Sequence, residues 1–318
     1  MHIFISHMHL SICLESKTKK REATKLMQGL FYGTGTAIVT PFRGGKVDFP
    51  AFEQLVNKQL AAKVNALILC GTTGEASTLT ENEKTELVAC AKALAKGKIP
   101  IIAGAGSNCT ETAVKYAQAM EKAGADAILC VTPYYNMCSQ AGLKAHFTSV
   151  ADAVSLPVIL YNVPTRTGVS LEAETAAELF KHPRIPAVKE AAADFSKAMR
   201  MTHLSMDGAY VYSGNDNMTL SLMAQGACGV ISVVSNAAPV QMKKLTDACL
   251  SNDYERARRE NADLMPLMDL MKLDINPIPI KAVLSAMGLI QNEFRLPLTP
   301  LSSESMKKIE SALAFLPK

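Results

Sequence analysis

Short apolar runs alternate with longer stretches of helical period along most of this chain, and this rhythm limits the possible folds more than any other feature. The runs are continuous rather than alternating, which is typical of parallel strands buried on both faces. The sequence therefore predicts eight strands, each followed by a helix, at Thr36–Val39, Val64–Cys70, Ile101–Ala103, Ala127–Val131, Pro157–Tyr161, Ala187–Lys189, Tyr210–Tyr212 and Gly229–Val233.

Eight successive strand–helix units favour an α/β fold of the (β/α)8 TIM barrel type over an open, doubly wound sheet. Residues 252–318 have helical period and no strand signal, which predicts a C-terminal helical appendage. We therefore divide the chain into a tail at 1–28, a barrel at 29–251 and a helical region at 252–318.

The first 28 residues do not resemble the rest of the chain. An apolar start from Met1 to Leu14 precedes a basic run from Lys17 to Lys25. A secretory signal has its charges before its apolar part, so the order here argues against one. We interpret this segment as an extraneous or disordered tail, or as the product of an upstream start codon with Met27 as the natural start. A targeting peptide is the alternative.

Charge and cysteine usage exclude several classes of protein. The formal net charge is +4, and three of these charges come from the tail, which has five basic and two acidic side chains. A nearly neutral body argues against a nucleic-acid-binding surface. The eight cysteines form no CxxC pair and the histidines have no metal-ligand spacing, so we expect no metal site. No apolar run reaches the length of a membrane span, and we predict a cytoplasmic protein.

The apolar run Arg184–Glu190 carries a lysine, Lys189, at its carboxyl end. In a barrel, chemistry gathers at the carboxyl ends of the strands. A lysine in an apolar pocket has a lowered pKa, down to roughly 7–8, and its neutral amine becomes a nucleophile towards a ketone. For Lys189 taken alone, a solvated surface lysine remains the alternative.

Other predicted strand ends carry polar groups of the same kind. The segment Gly71–Glu75 places two hydroxyls between glycines, as in an anion-binding nest or a tight strand-to-helix turn. Tyr161 fits a proton donor and acceptor or a capped core tyrosine. Arg166 fits carboxylate recognition or a surface ion pair. The Gly104–Gly106 turn lacks the third glycine of a dinucleotide-binding fingerprint.

Four motifs together resemble the dihydrodipicolinate synthase family of pyruvate-dependent class I aldolases, a superfamily that also includes N-acetylneuraminate lyase. The resemblance runs from about Leu30 to the C-terminus and implies a barrel followed by C-terminal helices. The motifs have the order and approximate spacing of that family, and they are Gly71–Glu75, Thr132–Tyr135, Tyr161–Gly168 and Val188–Ala191.

The resemblance implies a role for each matching catalytic residue. Lys189 corresponds to the lysine that forms a Schiff base with pyruvate, and Tyr161 to the proton donor and acceptor. Thr72 corresponds to the hydroxyl that links this tyrosine to a second one. Tyr135 corresponds to that second tyrosine, which in the family reaches across a tight dimer interface into the neighbouring site.

The resemblance also implies the substrate-binding positions. Thr73 and Ile231 correspond to positions that hold pyruvate, and Gly214 is a further substrate-binding position. Arg166 corresponds to the residue that receives the carboxylate of the aldehyde substrate. Arg166 together with Thr72 favours the synthase branch, because neuraminate lyases lack the Tyr-Asn-Val-Pro-x-Arg-Thr-Gly pattern and usually have serine at the Thr72 position.

The implied reaction condenses pyruvate with L-aspartate 4-semialdehyde to 4-hydroxy-tetrahydrodipicolinate, in lysine and diaminopimelate biosynthesis. The family implies no metal or organic cofactor, and it implies a homotetramer built as a dimer of tight dimers. Two alternatives stay open at this point. One is a related aldolase that uses another aldehyde, and the other is a catalytically silent paralogue that binds a keto acid.

Some positions depart from the family pattern. Ala191–Ala193 follows the lysine motif where relatives usually have a polar or glycine-containing turn, which could reshape the pocket floor. Asn108 and Tyr134 match two residues of the family's lysine-feedback site. Thr112 stands where lysine-sensitive relatives have a carboxylate, and Lys84 where some have histidine. A cation near a cationic effector, with no carboxylate to pair with that effector, weakens its binding, so we predict weak or absent inhibition by lysine.

Overall fold

The computed structural model describes residues 30–313, so the predicted tail at 1–28 lies outside the described residues. Eight parallel strands form a closed barrel, in the order β1-β10-β9-β8-β7-β6-β5-β4. The predicted (β/α)8 barrel is therefore confirmed. The barrel strands are β1 (Gly33–Ala37), β4 (Ala66–Leu69), β5 (Ile101–Gly104), β6 (Ala127–Val131), β7 (Val158–Asn162), β8 (Ala187–Glu190), β9 (Tyr210–Ser213) and β10 (Gly229–Ser232), and a separate hairpin consists of β2 (Phe42–Arg43) and β3 (Lys46–Val47).

Helices surround the barrel and continue beyond it. Their apolar faces pack on the outer face of the strands in one large buried core, while a smaller core fills the barrel interior. The helices are α1 (Phe49–Ala61), α2 (Glu81–Ala95), α3 (Thr110–Lys122), α4 (Gln140–Asp152), α5 (Pro164–Thr167), α6 (Ala173–Leu179), α7 (Phe195–His203), α8 (Thr219–Ala224), α9 (Pro239–Leu250), α10 (Tyr254–Leu270), α11 (Ile278–Ala286) and α12 (Ser303–Leu313).

Helix α2 begins where the sequence predicts it. The Thr80 hydroxyl accepts a hydrogen bond from the Glu83 amide at 3.2 Å, and the Glu83 carboxylate accepts one from the Thr80 amide at 2.9 Å. This reciprocal capping satisfies two amides that have no partner inside the helix, and such a cap contributes about 1 kcal/mol. Glu81 and Glu83 also lie at the positive end of the helix dipole.

Strand β1 begins earlier than predicted. The sequence signal gave Thr36–Val39, whereas the strand spans Gly33–Ala37. Gly33 pairs with Gly229 of β10, and a Cβ on Gly229 would lie 2.0 Å from the Gly33 carbonyl oxygen. Glycine is therefore required at this close approach of two backbones, and it removes the apolar pattern by which a strand is recognised.

Two short elements carry no sequence signal of their own. The hairpin β2–β3 has two residues in each strand, and α5 has four residues. Elements of this length show neither alternation nor helical period. Helix α5 begins with Pro164, whose fixed φ suits the first turn of a helix. It matters for the site because it carries Arg166.

The C-terminal helices pack against the loops at the carboxyl end of the barrel. Lys281 on α11 forms a buried ion pair with Glu75, and Asn276 contacts Thr73. The boundary predicted at residue 252 stays a prediction. In the part of the chain that the structure describes, no helix is long and apolar enough to span a membrane.

Candidate active site

Lys189 lies on β8, the sixth barrel strand, and is 5% exposed. It pairs in register with Tyr161 of β7, so the two side chains share the inner face of the barrel. The Lys189 ammonium lies 4.3 Å from the centroid of the Tyr161 ring. Within residues 30–313, no carboxylate forms an ion pair with Lys189.

Glu190 and Asn162 occupy the next register pair, and they tie the ends of β8 and β7 together. The Asn162 amide donates to the Glu190 carboxylate at 2.8 Å, and the Asn162 side-chain oxygen accepts from the Leu171 amide at 2.9 Å. Burial raises the pKa of Glu190, while its hydrogen bonds oppose the shift. This pair fixes the two strands that carry Lys189 and Tyr161.

A cavity of about 330 Å³ opens at the carboxyl end of the barrel. Its volume lies in the usual range for small-molecule sites. The structure brings together there five of the predicted site residues, namely Lys189, Tyr161, Thr73, Arg166 and Gly214.

Gly214 follows β9, and the space beside it explains why it is a glycine. A Cβ at this position would lie 2.6 Å from the Ala191 Cβ and 2.9 Å from the Glu190 carbonyl oxygen. Ala191 also lines the cavity, so the alanine run noted in the sequence forms part of its wall. A side chain larger than alanine at position 191 would narrow the cavity, and a Cβ at position 214 would collide with Ala191 and Glu190.

The segment Gly71–Glu75 forms the turn after β4. The amides of Gly74 and Ala76 both donate to the Gly71 carbonyl oxygen, at 3.1 and 3.3 Å. Thr73 is buried, and its hydroxyl accepts from the Asn276 side-chain amide at 3.0 Å. The turn thereby presents the Thr73 hydroxyl to the cavity in a fixed orientation.

Arg166 lies on α5 at the rim of the cavity. Its guanidinium donates to the Asn276 carbonyl oxygen at 2.8 Å. Asn276 therefore contacts both Thr73, through its side chain, and Arg166, through its backbone. A guanidinium has five N–H donors, so one that donates to a backbone carbonyl has further N–H groups with which to bind a carboxylate.

Thr72 lies on a second, adjoining cavity of about 440 Å³, which Tyr161 and Arg166 also line. No hydrogen bond joins Thr72 to Tyr161 among the described residues. Tyr135 is 90% exposed, Ile231 is fully buried in β10, and neither residue lines either of these two cavities. One chain therefore brings together part of the predicted set and leaves Tyr135 at its surface.

The cavity residues that the sequence analysis missed include Asp216, Lys272 and Asn276. The Asp216 carboxylate accepts from the amides of Val233 and Val234, at 3.0 and 3.1 Å, and burial raises its pKa while Lys189 opposes the shift. Its position two residues after Gly214 was a usable signal. Lys272 and Asn276 come from the helical region, where nothing in the sequence pattern points to the barrel mouth.

Lys84 lies on α2 and, with Tyr134, lines the larger cavity. Its ammonium lies 4.1 Å from the centroid of the Tyr116 ring, and burial lowers the pKa of Lys84. Thr112 is half-buried near the start of α3. A cation thus occupies the region where the family resemblance places a site for a cationic effector.

These features define a (β/α)8-barrel enzyme of the class I aldolase kind, with a buried lysine facing a cavity at the carboxyl end of the sixth strand. The model of the dihydrodipicolinate synthetase family matches residues 30–315. The chain belongs to this family.

Named relatives and solved structures agree with this assignment. A 4-hydroxy-tetrahydrodipicolinate synthase from Exiguobacterium sibiricum is 50% identical over 270 residues, which are 85% of this chain and 92% of the relative. One from Alkaliphilus oremlandii is 46% identical over 280 residues, 88% of this chain and 97% of the relative. The crystal structure of the dihydrodipicolinate synthase from Thermotoga maritima has a TM-score of 0.88 and 43% identity, covering 89% of this chain and 98% of that one.

Proposed function

We infer that the protein is a lyase, a 4-hydroxy-tetrahydrodipicolinate synthase that condenses pyruvate with L-aspartate 4-semialdehyde in lysine and diaminopimelate biosynthesis. The observation that carries this inference is Lys189, a buried amine with no ion-pair partner among the described residues, facing a cavity at the carboxyl end of the barrel. We place the reaction in the cytoplasm, as part of the same proposal.

The first half of the proposed reaction uses Lys189 as nucleophile. Its neutral amine attacks the ketone carbon of pyruvate, water leaves, and an imine forms. Loss of a proton from the pyruvate methyl group converts the imine to an enamine. Thr73 and Ile231 hold pyruvate in this proposal, and Gly214 is a further substrate-binding position.

The second half forms the new carbon–carbon bond. The enamine carbon attacks the aldehyde carbon of the second substrate, and the aldehyde oxygen takes up a proton. The amine of that substrate then attacks the imine carbon and displaces Lys189, which closes the ring and frees the lysine. Tyr161, Thr72 and Tyr135 move the protons, and Arg166 holds the carboxylate of the aldehyde substrate.

Turnover with different aldehydes tests the substrate assignment. We expect product from pyruvate and aspartate semialdehyde, detected by mass spectrometry, at a much higher kcat/KM than with aldehydes that lack its carboxylate. Equal kcat/KM values for such aldehydes would favour the related aldolase with another substrate. No turnover and no pyruvate adduct would favour the silent, keto-acid-binding protein.

Replacement of Arg166 by methionine separates binding of the two substrates. A charge-assisted hydrogen bond is worth about 1.5–3 kcal/mol, so we expect the KM for aspartate semialdehyde to rise roughly 10- to 100-fold. Pyruvate imine formation needs no guanidinium, so it should stay near the parent rate. Lys272→Met is the matched control, because this second cation lines the same cavity but is paired with Asp269. If Arg166→Met had the same KM for aspartate semialdehyde as the parent, this result would contradict the proposed role of Arg166.

We propose that the active form is a homo-oligomer, a dimer of tight dimers. Support comes from Tyr135, which is 90% exposed beside the exposed Tyr134 and Met137 and lines neither of these two cavities of its own chain. An apolar surface of this kind is typical of a protein interface. One related structure is described as a monomeric dihydrodipicolinate synthase variant, so an interface of this kind is open to test by sequence change.

Mixing two inactive variants tests whether Tyr135 acts across an interface. Tyr135→Phe lacks the hydroxyl and Lys189→Ala lacks the nucleophile, so each homo-oligomer should be nearly inactive. In a mixed dimer, the Tyr135→Phe subunit keeps its own Lys189 and receives Tyr135 from the other subunit. We therefore expect activity to return on subunit exchange. No recovery in a mixture shown to contain hetero-dimers would place Tyr135 in its own site or outside catalysis.

Titration with L-lysine tests the predicted loss of feedback. We expect weak or absent inhibition, because Lys84 supplies a cation and Thr112 supplies no carboxylate. The double variant Lys84→His with Thr112→Glu should gain about tenfold or more in lysine affinity, since an ion pair worth about 1.4 kcal/mol changes affinity tenfold. Strong inhibition of the parent at low lysine concentration would overturn this prediction.

A further inference from the structure

The turn that carries Thr72 and Thr73 ends in a residue with unusual backbone geometry. Glu75 has φ 53° and ψ 40°, in the left-handed region that non-glycine residues rarely adopt. Its amide donates to the Thr72 carbonyl oxygen at 3.1 Å. A residue held in this conformation costs roughly 1–3 kcal/mol, so other contacts must fix it there.

The Glu75 side chain supplies those contacts. Its carboxylate forms an ion pair with Lys281 on α11 at 2.5 Å, and the two side chains are 1% and 0% exposed. The Lys281 ammonium also lies 4.4 Å from the centroid of the Phe42 ring and 4.6 Å from that of Phe294. The second carboxylate oxygen accepts from the Arg295 amide at 3.3 Å.

Stability does not account for an ion pair in this environment. Removing two charges from water costs several kcal/mol for each ion, and replacement of a buried pair by apolar residues of similar volume is often neutral or stabilising. Burial lowers the pKa of Lys281 and Glu75 opposes the shift, as expected for a charge that is costly to bury and is retained by its partner. The advantage of the ion pair therefore lies in the fixed geometry that it imposes on the two segments it joins.

We propose that Glu75 and Lys281 are positioning residues for the reaction: their buried ion pair anchors the turn after β4 to α11 and so places the Thr72 and Thr73 hydroxyls at the cavities. Neither residue is proposed to touch the pyruvate. This inference rests on the proposed function, because it concerns the same site.

A second contact from the same segment supports this reading. Asn276, just before α11, donates to the Thr73 hydroxyl at 3.0 Å and accepts from Arg166 at 2.8 Å. The segment from Asn276 to Lys281 thus contacts the turn at two points, one through the ion pair and one through the hydroxyl itself. Movement of α11 relative to the barrel would displace both.

Two variants test the proposal through the rate of pyruvate imine trapping by borohydride and the KM for pyruvate. Glu75→Asp keeps the charges but shortens the side chain by one methylene, which displaces the turn by roughly 1 Å. The double variant Glu75→Leu with Lys281→Met removes the charges at similar volume. A misplacement of this size costs on the order of 10²-fold in rate, so we expect slower trapping and a raised KM for pyruvate in both.

A second ion pair provides the matched control. Lys92 pairs with Asp126, which lies at the opposite, amino end of the barrel, just before β6. Lys92→Met should lower the melting temperature and leave the trapping rate and the KM for pyruvate unchanged. A rate of pyruvate imine trapping equal to that of the parent, in either folded Glu75 variant, would overturn the positioning role. If the parent itself gains no pyruvate adduct, it is the proposed function that fails.

Discussion

Lys189→Ala is expected to lower kcat by about 10³-fold or more and to leave the barrel folded. The covalent route through an imine has no substitute nucleophile when the amine is removed, so the loss should resemble that for other essential nucleophiles. Steady-state turnover with both substrates measures it. Lys189→Arg should be equally inactive, because it keeps a positive charge but cannot form the imine.

Replacement of Lys189, which should abolish activity, should not lower the stability of the fold. Lys189 is buried and has no ion-pair partner among the described residues, so burial of its amine costs stability, and its longer-range interaction with Asp216 offsets only part of that cost. Lys189→Met is therefore expected to melt at or above the melting temperature of the parent. Substantial turnover in any of these variants, or a lower melting temperature of Lys189→Met, would contradict the role given to this lysine.

Tyr161→Phe is expected to lower kcat by roughly 10²- to 10⁴-fold, the usual range for loss of a general acid–base group. The change removes one oxygen from a buried ring that lies against the Lys189 ammonium, so packing is preserved. Imine formation and enamine formation both need proton transfer, and both should slow. Single-turnover trapping of pyruvate measures the first step, and exchange of the pyruvate methyl protons with deuterium measures the second.

Tyr212→Phe is the matched control for this prediction. The Tyr212 hydroxyl accepts from the Phe31 amide at 3.1 Å and donates to the Phe31 carbonyl oxygen at 3.0 Å. Its loss leaves buried backbone groups without a partner, which costs about 1–3 kcal/mol of stability. It should not change kcat. Equal kcat values for Tyr161→Phe and the parent would remove Tyr161 from proton transfer.

The sequence predicted the barrel because most of the barrel strands lie in apolar runs long enough to be recognised. It placed Lys189 and Tyr161 correctly on neighbouring strands, since the carboxyl ends of parallel strands meet at one rim. The bounds of β1 were wrong, because Gly33 and Gly35 carry a strand without an apolar signal. The close approach of the Gly33 and Gly229 backbones, which requires glycine in β1, is a property of the fold and cannot be recognised from the local sequence pattern.

The rest of the site depends on contacts between distant parts of the chain. Asn276 reaches Thr73 across 203 positions, and Lys281 reaches Glu75 across 206. Local periodicity carries no information on such contacts. Tyr135 illustrates a further limit, since its proposed role needs a second copy of the chain. The structure of one chain shows that the Tyr135 ring is exposed, but it does not contain the second active site in which the ring is proposed to act.

The most direct test of the imine mechanism is a mass spectrum of the protein after incubation with pyruvate and borohydride, beside Lys189→Ala. Borohydride reduces an imine to a stable amine, so a lysine that has reacted with pyruvate retains the added mass of the substrate. We predict one pyruvate-sized adduct per chain in the parent and none in the variant. A folded parent without an adduct, or an adduct of equal yield in Lys189→Ala, would contradict catalysis through Lys189.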